Sequence, residues 1–175
     1  MKLVFSMLIG LAFWFFPDVT TRLFYAYAIQ SVSRPHESDA ALIARFQQQR
    51  RSFETLRAMI ASDTGLERVD DTWTSPKDPA TIGITPQRIA EYRRLFNHIG
   101  TPRGIEAYDP TRSSFRLLAS TQGITVSGSG KGYLWSTEPP SPLLSELDSA
   151  LASHSKPFFG YRHLEDRWYL FLEID

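Results

Sequence analysis

The order of two hydrophobic periodicities constrains the fold of this chain more than any other feature of its sequence. Two segments, at 39–62 and 86–99, repeat apolar side chains at helical spacing. Their apolar stripes are Leu42, Phe46, Phe53, Leu56 and Ile60, then Ile89, Tyr92, Phe96 and Ile99. From Ile105 onward the period falls to two, with turn residues between short apolar runs. The sequence therefore predicts an α+β fold: a mainly antiparallel sheet, made of a meander plus a C-terminal hairpin, flanked by two or three helices.

The helix boundaries carry their own signals. Ser38 and Thr85 are residues that favour the N-cap position, and Pro86 suits the first helical position. Gly65 and Gly100 follow the two stripes and mark their ends. A cluster of leucines predicts a short third helix: Leu143, Leu144, Leu147 and Leu151.

The expected hairpins have defined turns. Gln122-Gly123 predicts one turn, and the glycine-rich segment 128–132 predicts another that leads into a strand at Tyr133. A last turn at Glu165-Asp166 would place His163 opposite Trp168 and Arg162 on the other face opposite Tyr169. One apolar face would then hold Phe159, Tyr161, His163, Trp168, Leu170 and Leu172. The second face is also apolar, so we expect either a covering helix or a partner there.

The amino-terminal segment predicts contact with a membrane. Leu3–Phe16 is an uncharged apolar run that follows Lys2, and residues 3–29 contain only two charges. We expect residues 1–30 to be a membrane anchor or uncleaved signal, 31–37 a linker, and 38–175 one soluble α+β domain. The alternatives are cleavage at Ala26-Tyr27-Ala28 or a helix packed on the domain. The expected location is the bacterial inner membrane, single-pass, with the domain in the periplasm.

Composition excludes several classes of function. Nineteen basic residues balance nineteen acidic ones, whereas a nucleic-acid-binding domain is usually net basic, so we expect no nucleic-acid partner. Cysteine is absent, which excludes a disulfide and a lipid-modified cysteine. The four histidines do not have the spacing of metal ligands, so we expect neither a metal nor a cofactor.

The segment Val126-Ser-Gly-Ser-Gly-Lys-Gly-Tyr133 is the main candidate for ligand binding. It lacks the first glycine and the Ser or Thr of a P-loop, and a strand follows it. A hairpin turn is the ordinary interpretation; an anion held by backbone N–H groups and Lys131 is the functional one. The candidate binding residues are Ser127, Ser129, Lys131, Arg162 and His163, and no residue qualifies as catalytic.

Three segments together resemble a group of short proteins. They are Gly83–Leu95, Val126–Tyr133 and Tyr161–Phe171, within a region of similarity that covers residues 50–175. The group comprises uncharacterised small membrane-anchored proteins of Gram-negative bacteria. The resemblance implies a bacterial source and no particular activity.

These patterns favour a non-catalytic module of the cell envelope that binds a protein or another ligand. One alternative is a small envelope hydrolase that uses His163 and Arg162 near the glycine-rich turn; another is an immunity-type protein. A hydrolase would bring His163, Arg162 and Lys131 into one cleft, whereas a binding module would leave them apart and expose an aromatic surface.

Overall fold

Three helices and a short 3-10 segment pack with a sheet in this computed structural model, which describes residues 35–124, 127–153 and 157–175. Helix α1 is Asp39–Ser62, with Ser38 accepting a hydrogen bond from the Ala41 N–H, and it is kinked at Gln49. Helix α2 is Pro86–Ile99, capped by Thr85 and ended by left-handed Gly100. The 3-10 segment is Pro79–Ile82, and the short helix α3 is Asp148–Ser153. The boundaries predicted for α1 and α2 are confirmed.

The strands form one antiparallel sheet of seven strands in the order β2-β1-β3-β4-β5-β7-β6. Their bounds are β1 Arg68–Val69, β2 Thr74–Ser75, β3 Ile105–Glu106, β4 Ser114–Ile124, β5 Ser127–Ser136, β6 Phe158–Glu165 and β7 Trp168–Ile174. The predicted α+β class, with an antiparallel sheet and two main helices, is confirmed. Residues His36–Asp175 form one compact unit.

The main core lies between one face of the sheet and the two long helices. Phe46 and Phe53 of α1 meet Tyr133 and Trp168 of the sheet with ring centroids 4.6–6.2 Å apart. All four side chains are at most 1% exposed. Burial of aromatic side chains on this scale is a leading source of folding free energy, so this contact fixes α1 on the sheet.

The predicted register of the last hairpin is wrong by one residue. His163 pairs with Tyr169 and Arg162 with Leu170, because a β-bulge between His163 and Glu165 adds one residue to β6. The turn is therefore at 166–167, where Asp166 adopts a left-handed conformation with φ of 51°. Arg162 consequently lies on the face that α1 covers, and His163 lies on the opposite face.

The second face of the sheet carries a smaller apolar cluster of Leu118, Leu134, Tyr169 and Phe171, with Tyr161 packed against it. The cluster includes no residue of α1 or α2, so neither long helix is the covering helix that was one of the two alternatives for this face. Arg116 extends across the cluster: its guanidinium lies 5.2 Å from the Phe171 ring centroid and binds Glu106 and Glu173.

The glycine-rich segment is a central strand, which corrects the predicted turn at 128–132. Residues Ser129–Trp135 of β5 pair with both β4 and β7. None of Gly128, Gly130 and Gly132 has a positive φ. Gly132 is required for another reason: a Cβ there would lie 2.0 Å from the carbonyl oxygen of Leu117. The glycine allows β4 to approach β5 closely.

The predicted anchor at 1–30 and residues 31–34 of the predicted linker lie outside the described residues. Within the ranges that the structure describes, no helix has the length and hydropathy needed to cross a membrane.

Candidate functional site

Three of the five candidate binding residues converge at one end of the main core. Ser129 and Lys131 point from β5, and Arg162 from β6, toward the start of α1. The structure adds four residues that the sequence did not single out: His36, Asp39, Ser120 and Asp148. We call His36, Asp39, Ser120, Ser129, Lys131, Asp148 and Arg162 the polar cluster.

Lys131 is the centre of the polar cluster. It is 1% exposed, and its Nζ lies 2.7 Å from Asp39 Oδ1 and 2.5 Å from Asp148 Oδ1. The two carboxylates belong to the first residues of α1 and α3. The ammonium group therefore holds two helix N-termini against the middle of the sheet.

The two helix starts also bind each other. The Asp39 N–H donates to the Asp148 carboxylate at 3.0 Å, and the Leu147 N–H donates to Asp39 Oδ2 at 2.8 Å. Arg162 adds a hydrogen bond to the same Oδ2 at 2.9 Å. Burial acts to raise the pKa of Asp39, but the bonds from Lys131, Leu147 and Arg162 outweigh it and hold the pKa below its usual value. Asp39 is thus an ionised carboxylate that forms ion pairs with both Lys131 and Arg162.

His36 bridges two strands through serine hydroxyls. Its Nδ1 lies 2.6 Å from Ser120 Oγ on β4, and its Nε2 lies 2.7 Å from Ser129 Oγ on β5. Burial lowers the pKa of His36 to about 4, and the positive charge of Lys131 contributes to the same shift. The imidazole is therefore neutral at pH 7, with one nitrogen donating and the other accepting.

The other two candidate residues lie elsewhere or are only partly described. His163 Nε2 lies 3.1 Å from the carbonyl oxygen of Asp166, and its ring meets Tyr169 edge-on. Adjacent strand residues point to opposite faces, so His163 does not join Arg162. Ser127 begins β5 opposite Ile124.

The charges of the polar cluster compensate one another. The positive charges of Lys131 and Arg162 face the negative charges of Asp39 and Asp148. The backbone of β5 around Lys131 is paired on both sides, which leaves no row of N–H groups for an anion. The geometry matches a buried ion network that fastens the helices to the sheet.

A separate groove opens at the β2 edge of the sheet, between β2, the 3-10 segment and the start of α2. We call it the Trp73 groove, and its volume is about 400 Å³. Its apolar lining comprises Trp73, Pro79, Ala80, Ile84, Pro86 and Ile89. Ile84 and Ile89 are buried, but Trp73 is 47% exposed. An exposed indole beside a concave apolar floor is unusual for a side chain with only a structural role.

Two basic side chains border the Trp73 groove. Lys77 is exposed on one wall, and Arg93 reaches the groove from α2 while its Nε donates to the Asp70 carbonyl oxygen at 3.0 Å. Asp78 is the acidic member of the lining, and its Oδ1 accepts from the Ala80 N–H. Across the described ranges, Lys77 and Arg93 form no ion pair. Outside the groove, the Arg68 guanidinium lies 5.1 Å from the Trp73 ring centroid.

Comparisons with protein-family models, curated proteins and solved structures find no match to this chain. The chemistry of its own side chains is therefore the basis for any functional conclusion. Among the described residues, no group of three or more His, Asp or Glu side chains is placed to hold a metal ion.

The sequence carried no signal for most of the polar cluster. His36 belongs to the predicted linker, Asp39 looks like an ordinary acidic residue in a first helical turn, and Asp148 lies within the leucine cluster that predicts a short third helix. Trp73 carries no motif in the sequence and precedes a segment that contains Pro76 and Pro79; the groove forms where α2 meets that segment.

Proposed function

We propose that this chain is a membrane-tethered, non-catalytic binding module of the bacterial envelope, and that its ligand binds in the Trp73 groove. The observation that carries the proposal is the exposed Trp73 ring above the apolar floor of Ile84 and Ile89. A volume of about 400 Å³ lies within the range of roughly 300–1,000 Å³ typical of small-ligand sites.

The polar cluster supports a non-catalytic function. Its basic groups, Lys131 and Arg162, form ion pairs with Asp39 and Asp148, and Lys131 is only 1% exposed. His163, the histidine expected to act in a hydrolase, lies on the other face of β6 from Arg162. The Trp73 groove has the opposite character, with an accessible aromatic ring and two basic side chains that form no ion pair among the described residues.

Fluorine NMR tests the groove directly. The chain has four tryptophans, at positions 14, 73, 135 and 168, so 5-fluorotryptophan labelling of the full chain gives four signals, and Trp73→Phe assigns one of them. A panel of neutral, anionic and cationic aromatic compounds and simple sugars is then titrated. We expect at least one compound class to shift the Trp73 signal while buried Trp168 stays unchanged. Failure of every class to shift it would contradict the proposal.

The tether has an independent test, which rests on the Leu3–Phe16 run. In a Gram-negative host, the full chain should resist alkaline carbonate extraction, and a reporter fused after Asp175 should be active in the periplasm. Recovery of a soluble form that starts near Ile29 would indicate a cleaved signal instead.

A second candidate function, ester hydrolysis, rests on the 2.7 Å contact between His36 Nε2 and Ser129 Oγ. A serine hydroxyl beside an imidazole is the arrangement of an activated nucleophile. The pKa of about 4 makes His36 a weak base at neutral pH, which places this candidate second. Labelling of the full chain by a fluorophosphonate, lost in Ser129→Ala and kept in Ser120→Ala, would favour it over the binding module.

A further inference from the structure

We propose that the ligand of the Trp73 groove is an aromatic or aliphatic carboxylate: an apolar body that covers Trp73 and an anionic group that pairs with Lys77 and Arg93. This inference rests on the proposed function and specifies its ligand class.

The charge of the lining carries the first step. Lys77 and Arg93 supply two positive charges against the single carboxylate of Asp78, which already accepts the Ala80 N–H. Helix α2 begins at the groove with Pro86, and its first turn contains no acidic residue. The positive end of the helix dipole therefore adds to the field of the two side chains. The net potential of the groove favours an anion.

The two basic side chains of the groove, Lys77 and Arg93, lack carboxylate partners among the described residues. About half of the described arginines form ion pairs with carboxylates; Arg88 binds Asp63, for example, and Arg116 binds Glu106 and Glu173. Lys77 and Arg93 have no such carboxylate among the described residues, although both border a concave surface. A ligand carboxylate would complete the pairing that the chain itself leaves open.

The apolar floor carries the third step, because it distinguishes a carboxylate with an apolar body from a bare anion. Ile84 and Ile89 form a buried base, and the Trp73 ring stands beside it. Arg68 contacts the Trp73 ring but does not line the groove. The part of the ring that lines the groove is therefore available to a ligand. An apolar ligand body of matching size covers this surface and removes it from water.

The test compares two soluble probes that differ in charge. Indole-3-acetate and indole-3-acetamide share one ring system, and the 5-fluorotryptophan signal of Trp73 in the full chain reports binding of each. We expect the acetate to bind about three- to fivefold more tightly than the amide, since ion pairs exposed to solvent contribute little. Lys77→Ala should remove most of that preference and leave amide binding unchanged. Arg51→Ala is the matched control, because it removes an exposed charge from α1 outside the groove. This variant should keep the preference for the acetate.

Three results would overturn the inference. If acetate and amide bind with equal affinity and Lys77→Ala has no effect, the groove recognises only the apolar body of the ligand. That result would contradict the carboxylate proposal but not the proposal of a binding module. A preference for the acetate that is as large in Lys77→Ala as in Arg51→Ala would contradict the proposed pairing of the anion with Lys77. A Trp73 signal that ignores both probes at millimolar concentration but responds to a sugar or a cation would replace the ligand class without removing the groove's function.

Discussion

Removal of the Lys131 ammonium group should destabilise the fold strongly. Lys131→Met keeps the aliphatic stem and deletes a charge that is 1% exposed and 2.5–2.7 Å from two carboxylates. Asp39, whose side chain is 3% exposed, keeps only Arg162 and the Leu147 N–H. Breaking a buried pair by removing one partner costs about 3–5 kcal/mol.

The lower end of that range applies here. The Asp148 side chain is 45% exposed, so water screens its share of the loss, and Arg162 still faces Asp39. We therefore expect a loss of about 3 kcal/mol in the free energy of unfolding. For a domain of this size, that loss lowers Tm by roughly 6–12 °C.

Chemical and thermal unfolding, followed by circular dichroism, measure this effect. Lys77→Met is the matched control, because it removes the same group from an exposed position, and surface changes stay within about 0.5 kcal/mol. In the double variant Asp39→Asn with Lys131→Met, the losses should be clearly less than additive. A loss below about 1 kcal/mol for Lys131→Met would refute the buried ion network and favour the anion-binding Lys131 that was the functional interpretation of the sequence.

Other predictions follow from the sheet and its polar end. Gly132→Ala should prevent stable folding, because its Cβ would lie 2.0 Å from the Leu117 carbonyl oxygen. Gly130→Ala should change the free energy of unfolding by no more than about 1 kcal/mol, because the nearest atom to its Cβ would be 3.5 Å away. Urea unfolding of the two variants measures the difference. The pKa of His36 falls from 6.5 to about 4 on folding. The contribution of neutral, buried His36 to the free energy of unfolding is therefore complete above pH 6.5, and it is lost as the pH falls from 6.5 toward 4. Between pH 7.5 and pH 5, the unfolding free energy should drop by about 1–2 kcal/mol more in the parent chain than in His36→Gln; equal drops would contradict the assignment.

Local signals in the sequence were sufficient for the helices and the fold class. Ser38, Thr85, Pro86 and Gly100 define helix ends through contacts within a few residues, and apolar stripes at helical spacing fix the buried faces. The alternation after Ile105 was enough to predict an antiparallel sheet.

Long-range packing decided what the sequence pattern left open. A glycine-rich segment looks like a turn unless the close approach of Leu117 to Gly132 is known. The one-residue bulge at 163–165 reversed the expected faces of Arg162 and His163. Burial of Lys131 depends on Asp39 and Asp148, which the chain brings together from distant positions. The Trp73 groove likewise exists only once α2 packs beside β2.

Amide hydrogen exchange of the full chain, with and without saturating indole-3-acetate, tests the central claim most directly. Peptides that cover the Trp73 groove, residues 72–93, should gain protection on ligand binding, and peptides that cover the polar cluster, at 127–136 and 158–165, should not change. Protection confined to 127–136 and 158–165, with residues 72–93 unchanged, would contradict the account and place the binding site at Lys131.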